Sequence, residues 1–259
     1  MKFGVKIYRE KDTAEYFKDK ADFLEVTTVP GTDYGFLKNY PLPIVIHAPH
    51  HKMGVNHADS GNREQNRKLF DSTLSIADDI HADKIVLHPG VLSNERCSKE
   101  EAVSAIKNLD QRVLIENLPI GHVEGGKLQE FLCMTYEEVK EFLEKTGKGF
   151  CFDINHGIDS EIECAKRFSK DMPNYLSSKG YLKALFPYVQ CARYFHLGGQ
   201  IIGSLPHIEH TSFDNSNVPL EEVLRMLPRN AEVALEVSTD IRKIEDDLRM
   251  VRTISAAAA

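Results

Sequence analysis

Eight short apolar runs, separated by helical or polar stretches, constrain this chain more than any other feature. They are Phe3–Tyr8, Asp22–Thr28, Ile44–His47, Lys84–His88, Arg112–Glu116, Gly149–Asp153, Ala192–His196 and Glu232–Glu236. Each holds four to seven residues rich in Val, Ile, Leu and Phe, the pattern of parallel strands buried on both faces. Between them lie amphipathic segments. Ile241, Ile244, Leu248 and Val251 form one helical stripe, and Met134–Gly147 carries Thr135 as N-cap, Glu138 three residues on and a closing glycine. Pro219 opens another helix, LEEVLRML. Eight strands alternating with helices in 259 residues predict an α/β fold, a single (β/α)8 TIM barrel spanning 1–255. An open doubly wound sheet is the competitor, but it favours a glycine-rich turn after the first strand, where YREKDTAEYF stands. No linker divides the chain, and the final alanines, 256–259, read as a cloning scar.

The residues that end these runs carry the chemistry. Strand 3 ends in His47, strand 4 in His88, strand 5 in Glu116, strand 6 in Asp153 with His156 following, strand 7 in His196 and strand 8 in Glu236. In a parallel barrel these ends share one face, where active sites of the fold lie. Residues two apart share a direction, so Val45, Val86, Leu114 and Ala234 fill the barrel while His47, His88, Glu116 and Glu236 crown it. One histidine at a strand end is ordinarily a hydrogen-bonded or solvated residue. Carboxylates and imidazoles gathered on one rim would repel or lose hydration without a cation, which predicts a metal site. Mixed His and carboxylate donors suit Zn2+ first, with Mn2+, Fe2+ or Mg2+ as alternatives, and the number of donors allows one to three ions. The stretch Pro206–His210 offers His207, Glu209 and His210 after strand 7, as a further ligand (His210) and as substrate contacts (His207, Glu209). His50 and His51, after Pro49, are further candidates for substrate contact and read equally as solvent-facing. His57, His81 and His122 read as surface residues, and Cys151 as core packing.

Composition removes other classes. Thirty-two Lys+Arg against 39 Asp+Glu leave a net charge of −7, which excludes a whole-surface electrostatic grip on nucleic acid. Local contacts remain open: Tyr34, Phe36 and Tyr40 as wedges, and Lys38, Arg63, Arg67 and Lys68 as phosphate partners, against the plainer reading of edge-covering aromatics and a solvated helix face. No apolar run is long enough to span a bilayer, and the opening MKFGVKIYREKD turns charged too soon for a secretory signal. Five cysteines without a CxxC pair indicate neither a disulfide framework nor an all-cysteine zinc site, and fit a cytoplasmic protein.

In order, HAPH, LHPG, IEN, FDINH, YFHL and LEV resemble the xylose-isomerase-like barrel superfamily, over roughly residues 44–240. That group includes endonuclease IV (AP endonuclease family 2) and many sugar isomerases and epimerases. Resemblance to endonuclease IV implies a three-zinc cluster that hydrolyses the phosphodiester 5′ to an abasic site. It implies that His47, His88 and Glu116 hold one ion, that Glu116, Asp153, His196 and Glu236 hold a second, and that His156 belongs to a third. The Asp-x-His that completes the third ion falls on Ile208 and His210 here, so the aspartate is missing and Glu209 or His207 is left to compensate. Resemblance to the epimerases implies instead one ion on Glu116, Asp153, His196 and Glu236, with the two glutamates moving protons. The arginine that binds substrate there is Ile202 in this chain. Glu25 favours the sugar enzymes as a substrate contact, whereas His47 and His88-Pro89-Gly90 favour the multi-metal hydrolases. The expectation is therefore a metal-dependent, endonuclease IV-like phosphodiester hydrolase with Glu116 and Glu236 as catalytic residues. A sugar or sugar phosphate isomerase/epimerase is the alternative. The expected partner is abasic nucleic acid or a small sugar, and no membrane.

Overall fold

A computed structural model describes residues 1–120, 123–124, 127–168, 171–204, 208–237 and 240–257. Eight strands close into a parallel barrel: β1 (Lys2–Ile7), β2 (Phe23–Thr27), β3 (Ile44–His47), β4 (Ile85–Leu87), β5 (Val113–Glu116), β6 (Gly149–Asp153), β7 (Tyr194–Leu197) and β8 (Glu232–Leu235), each paired with its sequence neighbours and β8 with β1. The strands lie where the apolar runs predict, with ends shifted by a residue or two. His88 and Glu236 fall one residue past β4 and β8, and His196 is followed in β7 by Leu197.

Strand alternation divides the core into two concentric parts. Outward side chains such as Val5, Leu24, Ile46, Leu87, Ile115, Phe152, Phe195 and Leu235 meet the surrounding helices in the main cluster. Inside the barrel, Phe23, Val45, Val86, Leu114, Cys151, Tyr194 and Ala234, one from each of β2 to β8, form a separate ring. At the eighth position, on β1, stands Gly4, and a Cβ there would lie 2.2 Å from the Phe23 ring. The glycine leaves the space that Phe23 occupies. Cys151 packs in this ring, as predicted.

The helices follow local rules. Tyr136–Thr146 begins with a complete capping box between Thr135 and Glu138 and ends at Gly147, whose φ of 68° is left-handed. Pro219 is the N-cap of Leu220–Met226 rather than its first residue. The last helix, Ile241–Ala257, buries Ile244, Leu248 and Val251 and runs through Ala256 and Ala257, as expected of the strongest helix former. A short antiparallel hairpin, Gly199–Ile201 with Ile208–Thr211, follows β7. No described helix is long and apolar enough to cross a membrane.

Candidate metal centre

Two residues beyond the apolar ring, toward the carboxyl ends, every strand presents an ionisable group. In order they are Lys6, Glu25, His47, His88, Glu116, Asp153, His196 and Glu236. Alternation sends each in the same direction as the ring residue before it, so a layer of four carboxylates, three imidazoles and one ammonium sits directly on an apolar floor. Glu25, Asp153 and His196 are 0% exposed, and His47 and Glu116 are 1% exposed. Charges so buried must be paired or neutralised.

Lys6 was not anticipated from the sequence, where the first strand is assigned no functional residue. Its backbone lies opposite Glu25 in the β1–β2 register, and its Nζ is 2.7 Å from Glu236 Oε2 and 3.5 Å from Glu25 Oε1. Burial favours the neutral amine, but Glu236, Glu25 and Glu116 outweigh it and raise the Lys6 pKa, so the ammonium persists. The available signal is the spacing: Lys6 follows Gly4 by two in an apolar strand.

Glu116 is the hub. Its Oε2 lies 3.1 Å from His47 Nε2 and 3.2 Å from His88 Nε2, while Oε1 lies 3.3 Å from His196 Nδ1 and 3.8 Å from His156 Nδ1. Orienting bonds fix which imidazole nitrogen faces inward. His47 Nδ1 donates to the Ala48 carbonyl (2.9 Å), His156 Nδ1 to the Asn117 carbonyl (2.9 Å) and His210 Nδ1 to the Glu236 carbonyl (3.2 Å). A carbonyl oxygen only accepts, so in each neutral ring Nε2 holds the lone pair. His196 Nε2 donates to Glu25 Oε2 at 2.8 Å, which leaves its Nδ1 facing Glu116, Glu236 (3.2 Å) and Asp153 (3.8 Å). Such outward bonds to carbonyls and carboxylates are the usual support of metal-binding histidines. The lone pairs of His47 Nε2 and Glu116 Oε2, 3.1 Å apart, need a cation or a proton between them.

The electrostatics point the same way. Burial opposes protonation of His156, yet Asp153, Glu209 and Glu116 draw its pKa up to about 9. His196 is likewise raised well above the ordinary range against burial, with Cys151, Glu25 and Glu116 as the driving groups. Burial pushes Asp153 up, whereas Glu116, buried as deeply, is brought well below the carboxylate range by His196 and His88. Without metal, protons answer the crowded negative charge. Asp153 Oδ2, His88 Nδ1 and Glu209 Oε2 are buried and have no hydrogen-bond partner, so the donors fit divalent ions better than they fit one another.

Among the described residues four sets of donors have all their atoms within 4.8 Å of one another: His47, His88 and Glu116; Glu116, Asp153, His196 and Glu236; His156, Glu209 and His210; and His50, His51 and His88. The first two are the sets that the resemblance implies. The third brings Glu209 beside His156 and His210, where it could compensate for the missing aspartate. His156 is held on the first turn of Ile154–Phe168, with its backbone N–H donating to Asp153 Oδ1 at 2.8 Å, and His210 stands on the hairpin strand with a left-handed φ of 57°. His207 lies outside the described residues.

Several expectations change. Glu25 is no substrate contact: it is a fully buried member of the layer, off the cavity wall, and touches His196 and Lys6. His57, expected on the surface, is buried, because Val55, Asn56 and Ala58 are folded in around it, and burial lowers its pKa to about 4. His81 is exposed, and His122 lies outside the described residues. Tyr34 is buried, its hydroxyl donating to the Thr27 carbonyl, and Tyr40 bonds the Ala14 carbonyl. These aromatics anchor the loop after β2 and are not available as wedges. Lys38, Arg63 and Arg67 pair with Asp79, Glu101 and Asp71. Asn117 and Asn155 were not anticipated. Each bonds the backbone of the next strand in both directions, Asn117 to Asp153 and Asn155 to Gly198, and so holds the strand ends in register.

Above the layer opens a cavity of about 210 Å³. His50, predicted to face substrate, is on its wall with Tyr8, Lys52 and Phe131.

Residues 35–254 match the family described as xylose isomerase-like TIM barrel. Among curated proteins the chain is similar to the probable endonuclease 4 of Mycobacterium leprae, 29% identical over 130 residues, or 48% of this chain and 50% of that protein. The match thus spans about half the length of such relatives. Among solved structures it is similar to a D-tagatose 3-epimerase-like protein (TM-score 0.71, 17% identity, 100% of this chain and 98% of that one). It is also similar to endonuclease IV from Thermus thermophilus (TM-score 0.70, 17% identity, 99% and 100%). At these identities the likeness to the two structures shows the fold. The matched span, the closed barrel and the ionisable layer at its carboxyl end together place the chain in the xylose isomerase-like TIM barrel family.

Proposed function

We propose that the barrel mouth is a multi-ion hydrolytic centre for phosphodiesters, with the strand break at an abasic site in DNA as its reaction. The observation that carries this is the placement of Glu116, whose two oxygens face two different donor sets. A carboxylate shared in this way would hold two ions, and a pair of divalent ions can serve in-line displacement at phosphorus. His47 and His88 would complete one set, and Asp153, His196 and Glu236 the other. His156, Glu209 and His210 would hold a third ion. Zn2+ is the first choice for these donors, with Mn2+, Fe2+ or Mg2+ as alternatives. Bound there, divalent ions supply Lewis acidity toward phosphoryl oxygens and a nucleophile at neutral pH.

The chain's own groups prepare the rest. Lys6 fixes one oxygen of Glu236, and Glu25 fixes the ring of His196. Glu236 stands at the rim, where it can orient an attacking water. With neutral imidazoles the layer carries three more negative than positive charges, which repels a phosphate. Two or more divalent ions reverse that sign, so an acidic protein acquires a cationic mouth only when loaded.

A second reading keeps one ion on Glu116, Asp153, His196 and Glu236, with a sugar or sugar phosphate isomerised between the two glutamates. The size of the cavity, about 210 Å³, favours it, because that space suits one sugar ring. Incubation of the metal-loaded protein with an oligonucleotide duplex holding one abasic site, and in parallel with ketoses and aldoses, separates the two. Cleavage on the 5′ side of the abasic site supports the hydrolase. Interconversion of sugars with the duplex intact supports the isomerase.

A further inference from the structure

The family resemblance accounts for three donor sets and leaves the fourth, His50, His51 and His88. We propose that these residues form an additional transition-metal site built from imidazole alone, joined to the His47, His88 and Glu116 set through the two nitrogens of one ring. The donors lie within 4.8 Å of one another, and the ring centroids are 5.0 Å apart for His50 and His88, 5.4 Å for His50 and His51, and 6.2 Å for His51 and His88. His88 can serve both sets once the second ion displaces its ring N–H proton to solvent and the ring bridges as an imidazolate, since a neutral ring has one lone pair. Its Nε2 faces Glu116 at 3.2 Å, while its Nδ1 is buried without a hydrogen-bond partner, and the same holds for His50 Nδ1.

The local chain explains the grouping. The loop leaves β3 through Ala48 and Pro49, and His50 is extended (φ −124°, ψ −171°). The chain then tightens into a single turn, His51–Met53, which closes on Gly54 at φ 83°. The bend brings two successive histidines beside the end of β4, and all three line the cavity.

The chemistry of this set differs from that of its neighbours. Two neutral imidazoles and one imidazolate shared with the neighbouring set leave a divalent ion most of its charge, and imidazole selects Zn2+, Cu2+ or Ni2+ over Mg2+ and Mn2+. Three protein ligands leave a position open, and it would face the cavity beside Lys52. The ligand class that suits such a position is an oxyanion, a phosphoryl oxygen above all. The site rests on the hydrolytic reading only in that His88 is shared.

Equilibrium dialysis of the full chain against Zn2+, followed by elemental analysis, tests it. A His50→Ala/His51→Ala variant is expected to bind one equivalent fewer than the unaltered protein, and Glu116→Gln to keep that equivalent while losing ions from the carboxylate sets. With Cu2+ as the probe, electron paramagnetic resonance should report a three-nitrogen environment that the double variant lacks. Metal content and Cu2+ spectrum unchanged in the double variant would overturn the site. Metal content unchanged in Glu116→Gln would instead overturn the multi-ion centre, so the two failures are distinct. Circular dichroism confirms folding of each variant, and single His50→Asn and His51→Gln variants stand in for a double variant that does not fold.

Discussion

Glu25 acts through another side chain. Fully buried, it accepts from His196 Nε2 at 2.8 Å and shares the ammonium of Lys6 with Glu236. His196 thereby offers Nδ1 to the carboxylates in front of it, and removing the charge behind it weakens its basicity without removing a donor. Glu25→Gln is therefore expected to lower zinc affinity by roughly 10- to 100-fold, the usual cost of losing the group behind a metal-binding histidine. Competition against a chromophoric chelator measures it, and an unchanged affinity would remove Glu25 from the centre. At this scale the sequence shows which residues can bind but not which way they reach. His47, Glu116, Asp153 and His196 were legible because each closes an apolar run. The role of Glu25 was not, because a mid-strand glutamate shows its partners only when the neighbouring strand brings Lys6 alongside. For Glu209 the resemblance left a choice with His207, and the hairpin brings Glu209 to His156.

Strands and loops set these directions, and their tolerances are narrow. The β1–β2 pair depends on Gly4, where an added Cβ would lie 2.2 Å from the Phe23 ring and the ring has no room to move within the barrel. Gly4→Ala should cost about 1–3 kcal/mol by overpacking and should displace Lys6 two residues on. Thermal denaturation reads the loss, and an unchanged midpoint would mean that the barrel interior is looser than the packing indicates. The loop after β3 carries a second tolerance. His57 is buried there, and burial alone lowers its pKa from the ordinary 6.5 to about 4. The unfolded chain then binds the proton more readily than the folded one, so stability is lost as pH falls from about 6.5 toward 4. At ~1.4 kcal/mol per unit the full effect is about 3 kcal/mol. A His57→Gln variant should show a flatter pH dependence of the midpoint over that window. Equal slopes in the two proteins would remove His57 as the cause. Sequence placed this histidine on the surface because its neighbours are polar. Burial here comes from Asn56, whose side chain bonds the backbone of Val91 and Ala58 and folds the loop inward.

Over the whole molecule, the barrel was legible because its eight strands are continuous apolar runs, which periodicity reports directly, and its site because the fold gathers all carboxyl ends on one face. Long-range pairings that decide the electrostatics, such as Lys6 with Glu236 across the closing seam of the barrel, have no local signal. The closed barrel imposes a ring of eight ionisable groups on an apolar floor, and its excess of negative charge calls for more than one cation. Elemental analysis of the protein purified without added metal or chelator, beside its Glu116→Gln variant, tests this most directly. A bridging Glu116 predicts two or more equivalents of divalent metal per chain, zinc foremost, and loss of at least one of them in the variant. One equivalent in the unaltered protein, or the same content in both, would contradict it.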